Sequence, residues 1–510
     1  MKDASTVAGD GDLSDAATRG FPSFPGAVSR APQWVTGQEP FDVAAFFQAP
    51  QDRDNADRIY LDALFEFTSD LTVCFTSFDV EKTEAIRVRE QAADRRYEIY
   101  GELIDQWEQD SSKVSTANVD SWLAGYDIGF EKLVLAQERP DCVFETGIDV
   151  LALRPHLSGA RQVARVVTWR TRRNLKMRNV TQALRDLKLL MRLSRDVRRR
   201  SGEFGHLVSL AMDRIACEDI INQILQSTDL SVEQCAILLS GLRELQSAAG
   251  ERFRHAMQGE FVVARQSLHD LQHRTGPFTQ QALRETFGIQ EDAPLFAGGF
   301  LHSLRLIHDM ESFGSDLSVA KYATRDWTGD GRRIAGLPTG WDSHGKLMPD
   351  SEYALEVDAL GRVYTALLAD NGEKLIAMCQ RERRQQIVAP LAALRLAIFF
   401  EPLLWNELIH TLIANEARLK GTMCLVALKM WQFEHNTAAT SLAAIFKNAG
   451  VTQVPSNPYG DGPLRMQVID GRPVIYSVGL DGKDDHALSE WDGKRKQPSG
   501  DLIFRIHNSK

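Results

Sequence analysis

Residues able to do chemistry collect in three places along this 510-residue chain. His269 and His273 stand four apart in a stretch of helical period, so both imidazoles fall on one face and could share a metal ion. Asp270 sits where a zinc-hydrolase helix of the HExxH type carries its glutamate base, but aspartate is shorter by one methylene. Glu285, His302 and His308 are the candidates for a third ligand. A metal-dependent hydrolase using His269 and His273 is therefore one expectation. It is set against two hydrogen-bonded histidines on a helix surface.

The second place is acidic. Asp481, Asp484, Asp485, Asp492 and Asp501 gather around Gly-rich turns. Calcium takes six to eight oxygens, and three carboxylates brought together supply about half of them. The same residues also populate ordinary turns, because Asp and Gly cap and tolerate left-handed backbone. No EF-hand spacing is present.

The third place is basic. Residues 161–200 hold 14 Lys/Arg against two acids, Asp186 and Asp196, in a chain whose net charge is −10. On the second helical stretch Arg185, Lys188, Arg192, Arg195 and Arg199 recur three and four apart, beside an apolar stripe of Leu184, Leu187 and Met191. Such a field attracts phosphate, nucleic acid or an acidic protein surface. Trp169 is nearly alone as an aromatic there and no nucleic-acid-binding motif occurs, which argues against nucleic acid. The competing expectation is pairing with the chain's own acids, such as those of 81–110. A P-loop, a GxGxxG after a strand, a GxSxG elbow and a catalytic Cys–His pattern are all missing, so the leading expectation is not an enzyme.

These residues must be positioned by helices. Apolar residues recur three and four apart over 55–67, 81–107 and 118–136, which argues amphipathic helix. The densest run reads as five helices, 161–176, 181–199, 204–226, 231–249 and 252–273, separated by short polar breaks that force neighbours antiparallel. Ser231, with Glu233 following, offers an N-cap. Stacked hairpins of this kind predict an α-solenoid of tetratricopeptide character, although no clean 34-residue consensus repeats. Further helices are expected at 353–368, 371–381 and 390–400, then one from Pro402 to about His435. At 464–478 two alternating runs flank Asp470-Gly471, a hairpin signal, and 502–506 supplies a third strand. The division expected is a flexible segment at 1–36, a helical array at 37–275, and an irregular joint at 276–350. A helical continuation at 351–415 and a helix-plus-sheet module at 416–510 complete it.

The bulk numbers agree with a protein of this kind. A composition of 43% hydrophobic and 25% charged residues excludes wholesale disorder, collagen-like repeats and small disulfide scaffolds. About 150 residues per domain gives roughly three domains. None of the six cysteines lies in a CxxC pair, and they read as small buried hydrophobes. The most apolar stretch, 387–405, contains Pro390, Arg395, Glu401 and Pro402, so a buried helix pair is expected there and not a membrane span. Residues 1–33 lack the apolar run of a secretory signal. The expected compartment is the cytoplasm, with envelope association as the alternative.

The C-terminal segment carries a resemblance. Ala417-Arg418-Leu419 leads to Trp431-Gln432-Phe433-Glu434-His435, then to Asn457-Pro458-Tyr459-Gly460-Asp461-Gly462-Pro463 and Tyr476-Ser477-Val478-Gly479-Leu480-Asp481-Gly482. Gly500-Asp501-Leu502-Ile503-Phe504-Arg505 closes it. This series resembles the tail of a large group of bacterial helical proteins with no established activity. Val143-Phe144-Glu145-Thr146-Gly147 and His269-Asp270-Leu271-Gln272-His273-Arg274 extend that likeness. The tail is similar, more distantly, to the globular half of type II secretion major pseudopilins, where a helix leads into a small sheet and calcium organises a loop. That resemblance implies calcium at Ser477, Asp481 and Asp501, to which spacing adds Asp485. The chain departs from the pattern: Thr437-Ala438 stands where a Tyr-Pro pair follows the pseudopilin helix, and the apolar pilin start is missing. It is therefore not expected to be a pilus subunit. The leading expectation is a helical scaffold for a protein partner, acidic or phosphate-bearing at 161–200. A secretion- or envelope-linked component with a calcium-binding module is the first rival.

Overall fold

The computed structural model describes residues 32–67 (except 49 and 52), most of 91–106, then 114–144, 155–273 (except 247–248) and 350–369. It resumes over 402–491 (except 436–438 and 452) and 499–506. The chain is mainly helical with a small three-stranded antiparallel sheet at its C-terminus. Short helices α1 (Val43–Phe47), α2 (Asp57–Phe65), α3 (Thr116–Ala124) and α4 (Asp127–Gln137) precede the long ones. Then come α5 (Pro155–Lys176), α6 (Val180–Val197) and α7 (Gly202–Arg214), which runs through a π-helical stretch, Ile215–Ile221, into α8 (Asn222–Gln226). They are followed by α9 (Val232–Leu245), α10 (Ala249–His273), α11 (Asp350–Leu368), α12 (Pro402–Glu434) and α13 (Leu442–Asn448). The sheet comprises β1 (Arg465–Ile469), β2 (Arg472–Ser477) and β3 (Leu502–Phe504). The helices expected at 371–381 and 390–400, and the joint at 276–350 apart from its last residue, lie outside the described residues.

Local chemistry sets the helix boundaries. Between α5 and α6 only Met177, Arg178 and Asn179 intervene, and the Asn179 side chain accepts the Gln182 N–H to cap α6. At α9 the Ser231 hydroxyl accepts from the Gln234 N–H (3.2 Å) while the Gln234 side chain accepts from the Ser231 N–H (2.9 Å). That is a capping box closed by Gln234, not by the Glu233 noted in the sequence. Along the inner stripe of α5, Val163, Val166 and Val167 are buried, and α6 answers with Ala183, Leu187 and Leu190. The segment expected as one helix, 204–226, changes pitch in its middle, because the π-helical stretch seats Cys217, Ile220 and Ile221 in the core.

In a solenoid each unit touches only its neighbours in the chain. Here α12, about 50 Å long at 1.5 Å per residue, lies against α7, the π-helical stretch, α9 and α10, all far upstream in sequence. One apolar core runs from Trp34 to Phe504, so the sheet shares it with the helices. Helices α7 and α10 meet at two glycines: a Cβ on Gly259 would stand 2.6 Å from the Gly202 Cα and N. Gly202 also has φ +60, which favours glycine. The Glu260 carboxylate beside this crossing accepts the Glu203 N–H (2.8 Å) and satisfies the start of α7 from a neighbouring helix.

The hairpin forms as its sequence asks. Asp470 (φ 51) and Gly471 (φ 74) both adopt left-handed backbone, and Ile469 pairs with Arg472 across the two-residue turn. Ile475 faces the main core, while Val474 and Tyr476 face a second small cluster closed by Ala487. The loop after β2 therefore roofs the far side of the sheet. Among the described residues, no helix is long and apolar enough to cross a membrane. Cys142, Cys217, Cys235 and Cys424 are buried and not disulfide-bonded, and burial pushes the Cys217 thiol up to about 12. Cys74 and Cys379 lie outside the described residues.

Candidate functional site

The histidine pair is only partly described. His269 is half-buried on α10, and the side chains of Asp270 and His273 lie outside the described residues, as do Glu285, His302 and His308. Among the described residues no group of three or more His, Cys, Asp or Glu side chains could hold a metal ion.

The acidic loop is organised by its own backbone. Ser477 is fully buried, and its hydroxyl donates to Asn457 Oδ1 at 2.6 Å. Asp481 Oδ1 accepts the Lys483 N–H at 3.0 Å, and the Asp485 carbonyl accepts the Leu488 N–H at 3.0 Å. Asp501 is fully buried, with Oδ2 accepting the Ala487 N–H at 2.8 Å. Burial raises its pKa against that bond, and the charges of Asp484 and Asp485 push the same way. Asp484 pairs with Arg465 and accepts the His486 N–H at 3.0 Å. Turn formation and the fastening of Ala487 over the sheet account for these contacts. Asp492 lies outside the described residues.

Of the five stripe cations, on α6 and just past its end, three are engaged. Arg192 and Arg195 reach Asp196 at 3.5 and 3.2 Å, and Arg199 pairs with Asp141. Arg185 and Lys188 stay exposed, without an ion pair among the described residues. Most of the acids of 81–110 lie outside the described residues. The counterions among the described residues include the segment's own two acids, both buried. Asp196 also accepts from the Tyr60 hydroxyl at 3.0 Å. Asp186 accepts from Arg170 (3.1 Å), Asn174 (3.1 Å) and Gln182 (2.9 Å).

A second buried polar group lies between α6, α7 and α10. Asp213 accepts from the Ser194 hydroxyl (2.6 Å) and from Arg252 (3.2 Å), with Arg198 at 3.8 Å. His206, fully buried beside it, donates Nδ1–H to the Gly202 carbonyl at 2.8 Å. Burial, with the charges of Arg198, His255 and Arg252, drives its pKa down to about 3. Between the ordinary value of 6.5 and about 3 the unfolded chain holds a proton here that the folded chain refuses. Stability should therefore fall as pH drops below 6.5, by up to about 1.4 kcal/mol per pH unit from this group. Urea titrations at pH 6 and pH 4 check this: His206→Gln should narrow the gap between them, and an unchanged gap counts against it.

Four other cations of the basic segment line a cleft of about 720 Å³. One wall is the last turns of α5, with Trp169, Arg172, Arg173 and Lys176, continuing to Arg178. Thr116 and Val119 of α3 form the second wall, and Gln223, Gln226, Ser227, Thr228 and Asp229 the third. The lining holds four cations and one acid, Asp229, and two further acids act on the cations from outside it. Arg173 donates to Asp120 at 2.7 Å. Arg172 lies over the Trp169 ring at 5.1 Å, and burial lowers its pKa against the opposing pull of Asp219. The side chains of Lys176 and Arg178 are exposed and have no hydrogen-bond or ion-pair partner among the described residues. The Gln223 Oε1 is buried without a hydrogen-bond partner. No protein-family model matches the chain, and no curated protein or solved structure is significantly similar to it. The cleft's cations lie within the basic segment, but residue spacing singled out the α6 stripe instead. The signal for the cleft was the Arg178-Asn179 break, which puts unpaired cations at a helix end.

Proposed function

We propose that the chain is a non-enzymatic helical scaffold, of tetratricopeptide-like hairpin character, that gathers an acidic or phosphate-bearing partner. The observation that carries this reading is the cleft, where Lys176 and Arg178, whose side chains have no partner among the described residues, stand with Arg172 and Arg173 beside an apolar wall. Charges of one sign in a concave, low-dielectric setting focus their field on a ligand. Its size falls within the roughly 300–1,000 Å³ of ligand pockets. The test is anisotropy of a fluorescein-labelled poly-glutamate peptide with increasing salt. Binding that weakens with ionic strength and is lost in Lys176→Glu supports the scaffold. Equal binding by Lys176→Glu, or none at low salt, overturns it.

A second reading, a secretion- or envelope-linked component, draws on α12 leading into α13 and the three-stranded sheet. The Phe504 ring of β3 packs so close to Gly421 of α12 that a Cβ there would meet it at 2.3 Å. Calcium that raises the melting temperature, with the rise abolished by Asp481→Ala, would favour this reading.

A further inference from the structure

Of the residues lining the cleft, Arg178 is backbone-strained. Its φ is 57, in the left-handed region, at the position just past a helix where glycine or asparagine is the usual occupant. For a side chain like arginine that conformation costs about 1 kcal/mol. Arg200, at the next helix junction, has φ 58, but its guanidinium donates to the Gln48 carbonyl and covers the Phe46 ring at 5.9 Å. The Arg178 conformation is that of a helix C-cap, with the Arg178 N–H donating to the Leu175 carbonyl (2.9 Å) and the Asn179 N–H to the Asn174 carbonyl (2.7 Å). It leaves the Arg178 guanidinium at the cleft without a comparable hydrogen-bond or ion-pair partner among the described residues.

Resting on the reading of the cleft as an anion-gathering site, we infer that the anion it takes is a phosphomonoester group, held by Arg172, Lys176 and Arg178 with Thr116 and Thr228 to hand. A phosphate dianion offers three oxygens and nearly two charges, matching several separate cations and hydroxyls. A carboxylate has two oxygens and is satisfied by one guanidinium fork. The start of α3 adds to the match: its cap residue Ser115 makes no side-chain cap, and Thr116 of its first turn lines the cleft. N–H groups at a helix start favour phosphate. Val119 and Leu175 give the organic part of the ligand an apolar wall.

The experiment is isothermal titration of the full chain with phenyl phosphate, inorganic phosphate and succinate, at low and high salt. Phenyl phosphate should bind tightest, and each of Lys176→Ala and Arg178→Gly should weaken it by about ten-fold, the scale of one charge-assisted hydrogen bond. Arg178→Gly should also leave the melting temperature unchanged or higher, because glycine relieves the left-handed strain; a residue needed only for folding would lower it. Arg185→Ala and Lys188→Ala, on the α6 stripe, should leave binding unchanged. A phosphoserine hexapeptide identifies the source. Tighter binding than phenyl phosphate places the group on a partner's side chain, and weaker binding places it on a free small molecule. Succinate binding as tightly as the phosphates overturns the phosphate assignment while leaving the anion-gathering scaffold standing. Phosphate binding indifferent to Lys176→Ala and Arg178→Gly overturns the site. No response to any anion, poly-glutamate included, overturns both.

Discussion

Asp213→Ala is expected to cost the fold about 3–5 kcal/mol, because it strips a buried pair of its acid and leaves the cation behind. Arg252 is 4% exposed and Arg198 has a side chain only 13% exposed, so neither guanidinium can turn to water without moving a helix. Burial and the mutual repulsion of these arginines already lower Arg198 to about 10, and Asp213 opposes that fall. The Ser194 hydroxyl, whose donor group reaches Asp213 at 2.6 Å, would lose that acceptor as well. Urea unfolding followed by circular dichroism reads the effect as a lower midpoint. Adding Arg252→Met should recover part of the loss, since two compatible apolar groups avoid an unpaired charge. A loss below about 1 kcal/mol would show that the arginines are solvated on their own.

The second large effect is a matter of sign. In an exposed helix, replacing glycine by alanine gains about 1 kcal/mol through backbone entropy. Gly259→Ala in α10 should do the opposite and destabilise by about 2–3 kcal/mol, in the range of overpacked cores. The atoms its Cβ would meet at 2.6 Å belong to the Gly202 backbone, so no side chain can swing aside. Separating the helices would also pull Glu260 from the Glu203 N–H it caps. A Gly259→Ala variant as stable as the parent would show that α7 and α10 can part without penalty.

Legibility in the sequence is a matter of which signals are local. The boundaries of α6 and α12 and the start of α9 were readable because period, cap and break residues lie within a few positions of one another. Helix α9 ends at Leu245, short of the expected 249. The Asp470-Gly471 turn was readable because two residues with positive φ leave few alternatives. The cleft was not, since its walls come from 114–119, 169–178 and 223–229 and only folding brings them together. Charge counting picked out the segment that lines the cleft but not the residues that do so. It could not distinguish Arg192 and Arg195, turned to a buried acid on their own helix, from Lys176 and Arg178, left at a helix end. The acidic loop was ambiguous for a different reason: aspartates that bind N–H groups in turns and aspartates that bind ions have the same composition.

The widened coil at Ile215–Ile221 acts as a phase adjuster for the helix beyond it. Each residue of an ordinary helix advances the direction of its side chain by about 100°, so one residue more or less swings everything downstream by that angle. Winding all of Ile215–Ile221 at ordinary pitch would swing Gln223 and Gln226 away from the cleft they line, whereas the wider turn takes up the surplus residue and keeps their direction. The third wall of the cleft keeps its orientation because one wide turn in the interior of the protein absorbs a surplus residue.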